Sequence, residues 1–330
     1  MSPTAARDAV LLVTHSGDHF TVDRVAAALK RRGARPFRLD TDLFPEEVRL
    51  SSRLGPGGPR RTIRAGRRRL DAEEVRAVWM RRVWPPRLDE RLDARFRGAC
   101  ARESQAALEG FLGGLSAARR VNEPARDREA EDKLRQLELA TASGLEVPRT
   151  LVTNDADEAR AFFDECAGRV VAKLLRPLSV SMNDAPFFLY TSEVKREDLD
   201  EAETLRHSPV VFQELVEKEL ELRVACVGGR LFAGAIDARH SGAGRTDWRR
   251  AAPAECAWQP CEVPAGVGAR LSALAGRLGL VYGAADLILT PDGRHVFLEI
   301  NPAGEWGMLE RDLGLDISGA LADALLDDES

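Results

Sequence analysis

Along the chain, short unbroken apolar runs alternate with stretches in which apolar residues recur every three or four positions, so strands and helices are expected to alternate too. Residues 9–14 (AVLLVT) predict a buried strand, 22–32 a helix stopped by Gly33, and 36–40 a second strand. Together they make a βαβ opening and a small parallel sheet. Segments 49–54 and 60–64 flank GPGGP and predict a hairpin, with 67–70 following the reversal at Ala65-Gly66. The run 75–86 predicts a strand stopped by Pro85-Pro86, and 89–118 a long helix ended or broken near 110–114.

Further on, Val121-Asn122-Glu123-Pro124 reads as a linker, and 128–143 as a helix ended by Gly144. An extended crossing (145–153), a helix (155–166) and a strand (169–175) follow. Lys173 is the only charge in the centre of that apolar strand. Its ammonium needs an anion such as phosphate, or else an edge-strand path to water. Residues 210–216 predict a strand, and 222–237 a hairpin turning at Gly228-Gly229; in its first strand Glu221 and Arg223 share one face.

The last hairpin carries the most chemistry. Apolar, β-prone runs flank Pro291-Asp292-Gly293, and Asp-Gly as a two-residue loop would pair Pro291 with Arg294 and set Asp286 directly opposite Glu299. Asn301, two residues beyond Glu299, projects on the same side. Opposed carboxylates repel, so truncating either should relieve strain in the metal-free protein. Three hard oxygen ligands on one face predict a magnesium site; the plainer alternative is a solvated polar face.

Composition narrows the class. The chain of 330 residues is too long for one ordinary core, and its apolar (44%) and charged (31%) fractions are those of a globular protein. No tract could span a bilayer, no secretory signal is visible, and five cysteines form no C-x-x-C pair, so no membrane partner and a cytoplasmic location are expected. A net charge of −5 argues against nucleic acid as a partner. The arginines of 60–69 stand apart, read either as a solvated face or as a groove for an acidic peptide segment. The first turn lacks G-x-G-x-x-G and is no dinucleotide site; His15 and His19 read as loop residues.

In order, Lys133, the stretch GLEVPRT (144–150), Lys173, QELV (213–216), ELR (221–223), Asp286, Glu299 and Asn301-Pro302 resemble the ATP-grasp superfamily. VWMRRVWPP (78–86), DWR (247–249) and NPAGEW (301–306) are similar to its microviridin-type (graspetide) peptide macrocyclases. The segment after Lys173, RPLSVSMNDAP, departs from the glycine-rich loop of the amino-acid ligases. The resemblance implies a mixed α/β, three-part architecture: an N-terminal pre-ATP-grasp βαβ domain (1–120), a central lid (121–206) and a C-terminal ATP-grasp part with the magnesium site (207–330).

The resemblance further implies that Lys133 and Lys173 contact ATP phosphates, that the backbone of Gln213, Glu214, Leu215 and Val216 holds adenine, and that Glu221 holds ribose. Mg²⁺ would bind Asp286, Glu299 and Asn301. Arg223 would serve the transferred phosphate and the substrate carboxylate, with Arg239, Asp247 and Arg249 as further substrate contacts and Asp247 as a candidate base. The expected reaction activates Asp or Glu side chains of a precursor peptide as acyl phosphates and closes ω-ester or ω-amide rings, and the expected assembly is a homodimer. Two other readings compete: an ATP-grasp amino-acid ligase with a small acceptor, and a nucleotide-binding module that regulates a partner.

Overall fold

The computed structural model describes residues 7–175, 191–237 and 257–327. Four parallel strands form the first sheet, in the order β2-β1-β6-β7: β1 (Ala9–Thr14), β2 (Arg35–Asp40), β6 (Val75–Met80) and β7 (Arg119–Val121), with α1 (Phe20–Arg31) linking the first two. The intervening β3 (Val48–Arg53), β4 (Arg60–Ala65) and β5 (Arg68–Asp71) make a separate antiparallel sheet. Its Val48, Ile63 and Leu70 pack with Phe111 of α2 (Ala94–Gly113) against one face of the parallel sheet. The expected linker is in part a strand: β7 ends in it, and Asn122 beyond it is buried, because its amide donates to Tyr282 O (2.8 Å) and accepts from Val281 N and Tyr282 N.

The expected helix over 128–143 is two, α3 (Pro124–Ala130) and α4 (Lys133–Ala142). Asp132 breaks them because its carboxylate caps α4, accepting from Arg135 N. Beyond lie β8 (Thr150–Thr153), α5 (Ala156–Glu165), β9 (Val170–Lys173), β10 (Ser192–Glu193) and β11 (Val210–Glu214), whose strands pair antiparallel in the order β10-β9-β11-β8. Phe162, Phe163 and Phe212 fill this small core. Lys173 is the last residue of β9 and only half-buried, so the apolar centre predicted around it is a strand end.

The third sheet, β14-β13-β12-β15-β16, holds β12 (Leu220–Val227), β13 (Arg230–Ile236), β14 (Gln259–Pro260), β15 (Tyr282–Leu289) and β16 (His295–Asn301), with α6 (Ala265–Leu278) on one face. Leu222, Val224, Ala285, Leu287, Phe297 and Ile300 point to that face and are buried under Leu271, Leu274 and Leu278. The other face is divided. Ala225, Val227, Tyr282 and Ala284 join a core shared with α1 and with α8 (Ile317–Leu326), which follows α7 (Gly307–Leu313) back to the first sheet. Glu221, Arg223, Asp286 and Glu299 occupy the remainder.

Candidate active site

Register puts the polar residues in a row. Arg223 lies directly opposite Asp286 and Asp286 opposite Glu299, while Ala284 lies opposite Asn301. The route differs from the two-residue loop expected. Thr290 N donates to Arg294 O across a three-residue turn, Pro291-Asp292-Gly293, in which Gly293 has φ +85°. Pairs near the turn, such as Leu289 with His295, are therefore offset by one residue from those expected, and a bulge at Leu298 restores the Asp286–Glu299 pairing. The bulge also puts Phe297 and Ile300, three apart, on the same buried face.

The opposed carboxylates are not left to repel, contrary to the expectation. Arg223 Nε lies 2.9 Å from Asp286 Oδ1, an ionic contact off the line of a hydrogen bond, and Lys133 Nζ donates to Glu299 Oε2 at 2.5 Å. Lys133 is aimed there by its own helix. One turn on, the buried Gln136 exchanges two hydrogen bonds with the backbone of Ile300, its Nε2 donating to O (2.8 Å) and its Oε1 accepting from N (2.9 Å). This pins α4 to the open edge of β16. The GLEV stretch does the same beside it, Phe297 N donating to Glu146 O (2.8 Å).

Two carboxylates and the Asn301 amide, which is exposed and accepts from Ala303 N through Oδ1, are hard-oxygen donors of the kind that Mg²⁺ takes. Among the described residues no group of three His, Cys, Asp or Glu offers an alternative metal site.

The turn after β16 is held from the first sheet. Arg81, 1% exposed, donates from Nη1 to Ala303 O (2.6 Å) and Gly304 O (3.1 Å) and from Nη2 to Glu305 (2.5 Å), and Tyr282 OH donates to the same Gly304 O (2.7 Å). Gly304 admits no side chain: a Cβ would lie 2.5 Å from that of Ala284 and 3.3 Å from Arg223 Nη1. Burial and the neighbouring Arg81 hold the Arg82 guanidinium below its ordinary pKa.

On the four-stranded antiparallel sheet, Lys173 Nζ donates to Gln213 Oε1 (2.6 Å), and Gln213 Nε2 to Thr150 Oγ1 (3.0 Å). In the stretch 213–216, Glu214 N and Leu215 N donate to Arg149 O and Arg169 O. Val216 N has no partner among the described residues. The Arg149 guanidinium, bonded to Glu214 at 3.0 Å, holds that carboxyl below its usual range. Glu221 accepts from Lys218 Nζ (2.5 Å).

The structure thus brings together Arg223, Asp286, Glu299, Lys133 and Asn301, and separately Lys173 with Gln213. Arg239, Asp247, Arg249 and the segment 176–186 lie outside the described residues. Sequence reasoning missed Arg81, Gln136, Lys218 and Asn122. Only Arg81 had a local signal, two arginines directly after an apolar strand.

Known proteins resemble the chain over nearly its whole length. The profile of the MvdD pre-ATP grasp domain matches residues 9–128. A comparison with curated protein sequences gave no match. Among solved structures, macrocyclase MdnB from Microcystis aeruginosa MRC is 48% identical over 97% of this chain and 99% of its own (TM-score 0.82). Macrocyclase MdnC from the same organism, bound with precursor peptide MdnA, is 34% identical over 96% and 99% (0.87). A Chryseobacterium gregarium RiPP-associated ATP-grasp ligase, in complex with ADP and a leader and core peptide, is 31% identical over 98% of each chain (0.91).

Fold and site together define an ATP-grasp ligase, an ATP-dependent enzyme in which a pre-ATP-grasp domain precedes the grasp. Within that class the chain belongs to the graspetide-type macrocyclase family of ribosomal-peptide maturation.

Proposed function

We propose that the protein activates Asp or Glu side chains of a ribosomally made precursor peptide with MgATP and closes them onto Thr or Ser hydroxyls or Lys amines of the same peptide. The observation that carries this is the self-neutralised row Arg223–Asp286–Glu299–Lys133, in which each charge has an internal partner of opposite sign. Such a row is suited to exchanging partners with a metal-bound polyphosphate, in which Asp286 and Glu299 would serve the cation and Lys133 the phosphates. Asp286, Glu299 and Asn301 are the proposed holders of Mg²⁺, which when bound would neutralise charge on the phosphate oxygens.

In the first step a peptide carboxylate oxygen bonds to the γ-phosphorus of ATP, and the bond to the β-phosphate oxygen breaks, releasing ADP. In the second the hydroxyl or amine attacks the acyl carbon, the carbon–oxygen bond to phosphate breaks, and the nucleophile's proton leaves to a base. Arg223, which lies between Asp286 and the Gly304 turn, is the proposed group that steadies the carboxylate and the transferred phosphoryl group. Lys133 and Lys173 are the proposed phosphate contacts, Val216 N the adenine donor and Glu221 the ribose acceptor. Arg239, Asp247 and Arg249 remain proposed on the peptide side.

The test is ADP release with and without candidate precursor peptide, read together with the product mass. Peptide-dependent release and loss of one water per ring are expected. Release indifferent to peptide, with its mass unchanged, would sink the proposal, and consumption of a free amino acid instead would point to small-acceptor ligation.

A further inference from the structure

The small sheet β3-β4-β5 has two faces of opposite character. Inward, Leu50, Ile63 and Leu70 stand in one row and pack on the first sheet's core, while Arg68 lies over the Phe37 ring and donates to Pro36 O. Outward, register aligns arginine against arginine. Arg49 lies opposite Arg64, and Arg64 opposite Arg69; four residues along, Arg53 lies opposite Arg60. All five are exposed. The intervening row, Ser51, Thr62 and Asp71, supplies the face's one carboxylate, which Arg69 holds at 2.9 Å. Arg53, Arg60 and Arg64 have no ion pair among the described residues.

Like charges directly opposite one another destabilise a sheet, so this ladder costs stability in the free protein. It does so in a chain whose net charge is −5, so the cations here are a local concentration rather than the general character of the surface. A dense, planar guanidinium face is complementary to several carboxylates presented at strand spacing.

We propose that this face docks an acidic segment of the peptide substrate. The inference rests on the proposed function in one respect: that reaction consumes side-chain carboxylates. Each ring closed turns one carboxylate into a neutral ester or amide, so the face would hold the unmodified peptide more tightly than the product and favour release after cyclisation.

The experiment needs no turnover. Fluorescence anisotropy of the full chain, without ATP, is measured with a labelled Glu-rich decapeptide, its Gln counterpart and a single-stranded oligonucleotide, for wild type and for R53Q/R60Q/R64Q. The Glu peptide should bind wild type with affinity that falls steeply with salt, should bind the variant at least about fivefold more weakly, and should bind far better than the Gln peptide. The variant should melt no lower than wild type, since the substitutions remove repulsion. Equal binding of the Glu peptide to both proteins, or none to either, overturns the proposal, and so does tighter binding of the oligonucleotide than of the peptide. Because binding is read without catalysis, loss of the proposed ligase chemistry would leave this result standing, and the reverse.

Discussion

Replacing Asp286 by Ala tests the row most directly. Repulsion between opposed carboxylates, taken alone, would make the metal-free variant more stable, because truncation relieves it. The structure predicts the reverse. Arg223 is 7% exposed and its guanidinium sits 2.9 Å from Asp286, so truncation leaves a buried cation without its carboxylate. Breaking a buried pair costs about 3–5 kcal/mol; water reaches Asp286, whose side chain is 21% exposed, which sets the expected loss near about 3 kcal/mol. Scanning calorimetry without nucleotide or metal should show the transition lowered by roughly 4 °C. Asp286→Asn, which keeps an oxygen toward Arg223, should lose less, and R223M/D286A should recover part of the loss because no charge is stranded. Peptide-dependent ADP release should vanish in both single Asp286 variants. An Asp286→Ala protein that melts at or above wild type would refute the charge-compensation argument, and retained turnover would refute the metal-ligand assignment.

Lys173→Met should weaken ATP binding by at least about 1 kcal/mol, roughly fivefold, in titration calorimetry; unchanged affinity would remove Lys173 from the phosphate site. Gly304→Ala forces a Cβ to 2.5 Å from that of Ala284 and should lower both the melting temperature and turnover, whereas an unperturbed protein would show that the turn yields freely. Burial raises the Asp127 pKa to about 6 from an ordinary value near 3.8, so the folded state binds the proton more tightly than the unfolded one. That contribution to stability is present at low pH and is lost as pH rises through about 6. Asp127→Asn, whose amide oxygen still accepts from Asn122, should therefore gain of order 1 kcal/mol in denaturant unfolding at pH 7.5 and little at pH 4; equal effects at both would be inconsistent with that shift.

Elements with strong local signals were legible in the sequence: β1, α1 with Gly33, the arginine sheet and the Gly228-Gly229 hairpin all fall within a residue or two of expectation. Errors arose where a polar residue acts at long range. Asp132 looks like part of a continuous helix until its side chain is seen to cap one, and Asn122 looks like linker because its partners, Val281 and Tyr282, are far along the chain. Gln136 carries no periodic or compositional mark, since pinning β16 requires only one amide at one spot. The Asp286–Glu299 pairing matches expectation although the turn does not: a three-residue turn shifts the register by one and the Leu298 bulge, which leaves no mark in the sequence pattern, shifts it back. Neutralisation of the pair by Arg223 and Lys133 was not legible, because α4 and β12 come near it only through the tertiary fold.

The Leu298 bulge is what keeps this strand in phase. In an unbulged β16 Leu298 would stand opposite Asp286, and Glu299 would turn to the apolar side under α6; taking Leu298 out of the ladder sets Glu299 opposite Asp286 and returns Ile300 to the buried face. The turn sets no such limit, since residues opposed across a hairpin share a face whatever the loop length, as Leu289 and His295 do with five residues between them. The tip can therefore change length among related chains, while a single residue added between Phe297 and Glu299 has to be bulged out in its turn or the carboxylate leaves the row.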